Sequence, residues 1–247
     1  MREIQSLARG LKILDLLGQS QEGMSITELS QILGVDKSSA SRLAATLSKY
    51  SYALKNPLTQ RYHLGPSILT LSRSLLTKKP LQERARPFLQ ELMESTGECS
   101  HLAVSAHGRA LCIDQVESPA TLRVNVEIGQ TLPYHCTALG KVFLAFGEIE
   151  PPEHLEKYTP NTILNAEALK QHLDEVRQQG YAVDDEEYDP GVRCLAVPVY
   201  DFQGAVVGSI GISAPALRLT MENLRNLAPG VVAMGMELSK QMSLIDP

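Results

Sequence analysis

The stretch from Ser25 to Lys49 constrains this chain more than any other part of it. Ser25-Ile26-Thr27-Glu28 has the S-x-x-E form in which a serine and a glutamate cap a helix start reciprocally. The short helix it opens is expected to bury Ile26, Leu29, Ile32 and Leu33. Gly34-Val35 then turns the chain, and Asp36 is placed to cap a second helix from Lys37 to about Lys49. Ala40, Leu43, Ala44 and Leu47 form its inner face. Ser38, Ser41, Arg42 and Ala45 lie opposite, Lys37 and Lys49 stand at the ends, and no acid intervenes. A small, hydroxylated, cationic helix face behind a glycine turn is what a helix-turn-helix needs to approach base edges.

The flanking residues extend this reading. Ile4, Leu7, Ala8, Leu11 and Leu14 recur at helical spacing as far as Gly18, giving a preceding helix. Tyr52–Lys55 and Arg61–Leu64 read as strands joined by Asn56–Gln60, a wing behind the second helix. Lys55 and Arg61 at its base are expected to touch the DNA backbone.

Net charge over all 247 residues is −5, from 23 Lys+Arg and 28 Asp+Glu, which on its face argues against nucleic acid. Mapped along the chain, the argument reverses. Residues 1–77 hold nine basic and five acidic residues, net +4, and the remainder is net −9. The four cysteines, Cys99, Cys112, Cys136 and Cys194, are widely spaced with no C-x-x-C pair, so reduced thiols are expected. No apolar run reaches membrane-spanning length, and the first residues lack the apolar stretch of a secretory signal. The expected compartment is the cytoplasm, without a membrane partner.

Beyond the wing, Ile68, Leu71 and Leu75 mark one helix, Lys78-Lys79-Pro80 interrupts it, and Leu81, Ala85, Phe88, Leu89 and Leu92 mark another. Two apolar stripes between domains suggest dimerisation through this region. From Ser100 the period changes to that of strands. Residues 102–106 and 111–113 flank a His107-Gly108-Arg109 turn, and residues 195–200 and 205–213 flank Asp201-Phe202-Gln203-Gly204. Leu122, Val124, Val126 and Ile128 alternate with polar residues as in a half-buried strand. Ala138 to Phe146, a segment with Leu169, Leu173 and Val176, and a closing segment from Leu224 to Leu238 kinked at Pro229 read as helices. The expected class is α+β, a mostly antiparallel sheet with helices packed over it. The expected division is residues 1–64 for DNA binding, 65–79 as linker helix, and 80–247 as sensor.

The chain resembles the IclR family of bacterial transcriptional regulators along its whole length. Lys37-Ser38-Ser39-Ala40-Ser41-Arg42-Leu43 is similar to that family's K-S-T-x-x-R-L pattern, with Ser39 in place of Thr. Thr137-Ala138-Leu139-Gly140-Lys141, Asp185-Glu186-Glu187 leading to Gly191–Ala196, and Ile210–Ser213 match as well. The resemblance implies a winged helix-turn-helix followed by a GAF-like effector domain, acting as dimers or tetramers on palindromic operator DNA. DNA contacts are expected from Lys37, Ser38, Ser39, Ser41 and Arg42 on the helix and from Lys55 and Arg61 on the wing. The resemblance also implies an effector pocket at Ala138, Leu139, Asp184, Cys194, Gly211 and Ser213. A helix start at Ala138 and Leu139 favours an anion, so a carboxylate-bearing organic or sugar acid is expected. Gly211, where some members carry serine, is expected to leave room for a bulkier ligand.

Rival readings use the same residues. Asp184-Asp185-Glu186-Glu187 is on its own a solvated charge run with only Asp184 in the pocket. His135 and Cys136, with Asp184 and Cys194, would suit a Cys-His nucleophile or a metal, but no spacing motif supports either. No catalytic residue, metal or cofactor is therefore assigned. The expected activity is that of a ligand-responsive repressor rather than an enzyme fused to a winged helix or a ligand-free architectural DNA binder.

Overall fold

The computed structural model describes residues 4–76 and 80–243, with the side chains of 72–76, 80 and 243 left aside. The chain divides into two compact units, Met1–Lys78 and Lys79–Pro247. Among the described residues no helix is long and apolar enough to cross a membrane.

The first unit runs α1 (Gln5–Gln19), α2 (Ile26–Leu33), α3 (Lys37–Lys49), β1 (Ala53–Lys55), β2 (Tyr62–Leu64) and α4 (Ser67–Leu76). The capping box forms as expected: the Glu28 amide donates to Ser25 Oγ, and the Ser25 amide donates to Glu28 Oε2 at 2.7 Å. Gly34 closes α2 in the left-handed region, φ 62°, which spares it a Cβ penalty. Ile13, Leu17, Leu29, Ala44, Ala53 and Tyr62 make the core, with Ile26, Leu33, Leu43 and Leu47 packed against it. Ile32 is exposed.

The apolar stripe of α1 is mostly turned to solvent. Ile4, Leu7 and Leu11 are exposed, Ala8 and Leu14 are half-buried, and Ile13 and Leu17 fill the core instead. This helix has two apolar stripes, and periodicity alone cannot say which one meets the neighbours. Similarly, Ile68 is half-buried and Leu71 exposed on α4, while Leu75 and the break at residues 78–79 fall outside the description.

The second unit runs α5 (Pro80–Thr96), β3 (Cys99–Ala106), β4 (Arg109–Val116), β5 (Thr131–Leu132), α6 (Ala138–Phe146), α7 (Ala166–Gln179), β6 (Ala182–Asp185), β7 (Val192–Tyr200), β8 (Val206–Pro215) and α8 (Met221–Ser243). Its six strands lie in the order β5-β4-β3-β8-β7-β6, every pair antiparallel. On one face α5 and α8 bury Leu102, Leu195, Val197, Ile210 and Ile212. On the other, α6 and α7 cover the small residues Ala103, Ala110, Ala182 and Ala196. Period-2 alternation in Ile210-Gly211-Ile212-Ser213 sends bulk to one side and leaves space on the other.

Two expectations change here. Leu81, Ala85, Phe88, Leu89 and Leu92 of α5 are all buried in the second unit's own core, so this stripe is not a dimer face. Residues 122–128 form no strand: Leu122 and Ile128 are exposed, and Val124 and Val126 are half-buried. The short β5 pairs with the start of β4 at Ala110 and Leu111, and residues 122–128 join no described ladder. Helix α8 continues through Pro229.

Candidate functional site

In the first unit, α3 presents Lys37, Ser41, Arg42 and Ala45 to solvent. Its start is tightly organised by Asp36. Ser38 Oγ donates to Asp36 Oδ1 at 2.5 Å, Ser39 Oγ donates to Oδ2 at 2.7 Å, and the Ser39 amide donates to Oδ1 at 2.8 Å. Those hydroxyls hold the Asp36 carboxyl well below the usual range. The hydroxyl hydrogens of Ser38 and Ser39 are thus engaged within the protein. Arg42 lies 3.4 Å from Ser39 Oγ and is otherwise open to solvent.

The wing residues differ from each other. Arg61 donates twice to the Glu28 carboxylate at 3.0 Å, and its Nε donates to the Gly23 carbonyl. Glu28 therefore caps α2 and braces the wing together, and its carboxyl drops to about 2, first through the Ser25 amide. Lys55 carries no such tie, its Nζ lying 5.8 Å from the Tyr62 ring centroid.

In the second unit, a cavity of about 50 Å³ opens between the sheet and the start of α6. All six positions expected for the effector, Ala138, Leu139, Asp184, Cys194, Gly211 and Ser213, line it. Thr137 caps α6, its Oγ1 accepting from the Gly140 amide, so the amides of Ala138 and Leu139 lie at the positive end of the helix. Gly140 is required there, because a Cβ would sit 2.4 Å from the Pro133 carbonyl oxygen. Val124 and Val126 close the cavity from the segment that forms no strand.

Three comparisons agree on what this architecture is. The bacterial transcriptional regulator IclR C-terminal model matches residues 73–240, and the IclR helix-turn-helix domain model matches residues 6–57. The chain belongs to the IclR family.

Among relatives of this IclR-family regulator, the HTH-type transcriptional regulator XynR of Escherichia coli K12 is 34% identical over 97% of both chains. The transcriptional repressor IclR of the same organism is 31% identical over 96% of this chain and 89% of its own. A solved IclR regulator from Alicyclobacillus acidocaldarius superposes with a TM-score of 0.84 at 27% identity, covering 98% of this chain and all of that one. An IclR homolog from Microbacterium hydrocarbonoxydans, solved with 4-hydroxybenzoate, superposes with a TM-score of 0.75 at 19% identity, covering 96% and 97%. The curated relatives are regulators and not enzymes, and so is this family member.

The charge run of this IclR chain is not a solvated face. Asp184 is buried in the cavity wall, Asp185 and Glu186 hold Arg193 at 2.5 and 3.1 Å, and Glu187 is buried against Lys141. Gly211 is also corrected. A Cβ there would lie 2.2 Å from the Leu195 carbonyl oxygen, so glycine serves the close approach of β7 rather than ligand room. His135 turns to the Glu156 carbonyl oxygen at 2.9 Å, and burial pushes the Cys136 thiol up to about 12 and Cys194 well above its usual value. Neither thiol is poised as a nucleophile, and among the described residues no metal-holding group of His, Cys, Asp and Glu gathers. Sequence reasoning missed His101 and Tyr188 in the wall, and Lys141 and Glu187 behind it. A single lysine inside the otherwise apolar Ala138–Phe146 was the available signal for the last pair.

Burial raises the Asp184 carboxyl to about 7, against the pull of Lys141. The folded chain holds this proton more tightly than the unfolded one. The associated stability is full below about pH 4 and is lost as pH rises through about 7. Asp184→Asn, which can still accept from the Glu187 amide, is expected to stabilise the chain at pH 8 by on the order of 2–4 kcal/mol. At pH 4 the gain should nearly vanish. Urea unfolding at the two pH values reads the difference, and equal gains at both would refute it.

Proposed function

We propose that this IclR-family chain is an effector-responsive repressor acting on a palindromic operator. Residues 1–64 bind double-stranded DNA, 65–79 link, and 80–247 bind the effector and assemble the chain into a homodimer or tetramer. The observation that carries the reading is the cavity, which gathers the six expected effector positions at the start of α6.

Free amides and the helix dipole at Ala138 and Leu139 favour a carboxylate, while Asp184 and Ser213 suit hydroxyl or carbonyl groups. A small organic or sugar acid fits this chemistry. The 4-hydroxybenzoate in the M. hydrocarbonoxydans relative is an acid of this class and supports the reading. A ligand-free architectural binder would have no use for a buried carboxyl of raised pKa in a cavity wall.

On the DNA side, exposed Lys37, Ser41 and Arg42 are assigned the groove, and Lys55 the backbone. Ser38 and Ser39 meet DNA at the helix start that Asp36 organises, and Arg61 meets it at the wing base that Glu28 holds. Effector and DNA are coupled reciprocally, typically by ~1–3 kcal/mol.

The test titrates organic and sugar acids into the complex of the full chain with operator DNA, followed by fluorescence anisotropy. Saturable release by one of them, with the same acid bound more weakly by the DNA complex, is expected. If no acid changes DNA affinity, the effector reading fails.

A further inference from the structure

Strand register arranges the face of the sheet beneath the cavity in two rows. Cys99, Ser213, Cys194 and Asp184 run side by side across β3, β8, β7 and β6. His101, Gly211, Ala196 and Ala182 form the parallel row two residues along each strand, on the same face of the sheet. The His101 ring crosses from its own row to the other, its Nε2 lying 2.5 Å from Ser213 Oγ. His101 is 2% exposed, lines the cavity, and has among the described residues no hydrogen-bond partner for Nδ1. A buried nitrogen without a partner is costly and rare.

The hydrogen count of this pair is informative. Burial lowers the ring to about 4, so at neutral pH it is uncharged and carries one hydrogen. Imidazole and hydroxyl together hold two hydrogens, and their mutual contact uses one. One donor is therefore left over in either tautomer. The rest of the wall makes that donor matter. Its carboxyl side chains are Asp184 and Asp189, and among the described residues no lysine or arginine lines it. An acid held here depends on uncharged N–H and O–H donors together with the start of α6.

We propose that His101 is an effector-recognition residue: its Nδ1–H donates to a carboxylate oxygen of the bound acid, while Ser213 donates to Nε2 and fixes the tautomer. The inference rests on the reading of this cavity as the effector site. It makes His101 a contact residue rather than a support for Ser213.

Two amide substitutions separate those roles, because an asparagine amide stands near the place of Nδ1 and a glutamine amide near that of Nε2. Full-length wild type, His101→Asn, His101→Gln and His101→Phe are titrated calorimetrically with pyruvate, gluconate, benzoate and 4-hydroxybenzoate. For whichever acid binds wild type, His101→Asn should stay within a few-fold. His101→Gln and His101→Phe should each lose roughly ten- to a hundredfold, the range for a hydrogen bond to a charged group. Glutamine rescuing where asparagine fails, or all three binding like wild type, overturns the proposal. Should the variants not fold, ¹⁵N resonances of His101 in the wild-type chain decide it. They should report a protonated Nδ1 that shifts when the acid binds, and a bound acid that leaves Nδ1 unmoved overturns the proposal. If wild type binds none of the four acids, the carboxylate class falls and His101's role falls with it. That result is read on wild type alone and is distinct from failure of a variant.

Discussion

Lys141→Met is expected to destabilise the full chain by about 3–5 kcal/mol, the usual cost of leaving one partner of a buried ion pair alone. Lys141 is fully buried, and its Nζ donates to Glu187 Oε1 at 2.6 Å and to His172 Nε2 at 3.0 Å. Burial and the nearby ammonium keep His172 neutral, lowered to about 4, so it can accept that hydrogen bond. Removing the ammonium strands the Glu187 carboxylate, whose Oε2 already lacks a partner. The double variant Lys141→Met with Glu187→Met removes both charges and should recover most of the loss. Urea unfolding of the three chains at pH 7 checks this, and a single variant within about 1 kcal/mol of wild type would contradict it. The pair also explains why two separate motifs occur together. Thr137–Lys141 supplies the ammonium, and Asp185–Glu187 the carboxylate that Lys141 requires.

Arg42→Ala should weaken binding to an operator selected from random duplexes by roughly ten- to a hundredfold, with the fold unaffected. Arg42 is exposed and its one recorded side-chain contact, to Ser39, is long, so little in the unit depends on it. Discrimination against a mutated operator should shrink as well. Lys55→Ala is the contrasting change, expected to weaken all sequences alike and to lower the salt slope by about one. Anisotropy titrations across a salt series separate the two effects. Unchanged operator affinity in Arg42→Ala would remove α3 from the groove. The −9 carried beyond residue 77 should repel DNA elsewhere, leaving modest and strongly salt-dependent non-specific binding.

Much of the first unit was legible because its signals are local. Capping boxes, a glycine turn and a helix period act within four residues, and Ser25, Gly34 and Asp36 each do what their type and spacing imply. Orientation was less legible. Ile4, Leu7 and Leu11 have helical period yet face solvent, while Ile13 and Leu17 fill the core. In the second unit, the alternation at residues 122–128 reads as a half-buried strand, and no strand forms there. What the segment covers is a cavity rather than a neighbouring strand.

By itself the sequence determined the α+β class, the helix-turn-helix and most of the helices, because capping and side-chain period are properties of the chain, while the six cavity positions came from the family resemblance. The tertiary structure alone decided which groups meet. Residues 101 and 213, or 141 and 187, are brought together by strand register and helix packing, and no local pattern encodes a contact across that separation. Burial then decided the chemistry. Removal from water keeps the His101 ring uncharged, raises Asp184 toward neutrality and makes Lys141 a partner that Glu187 cannot lose.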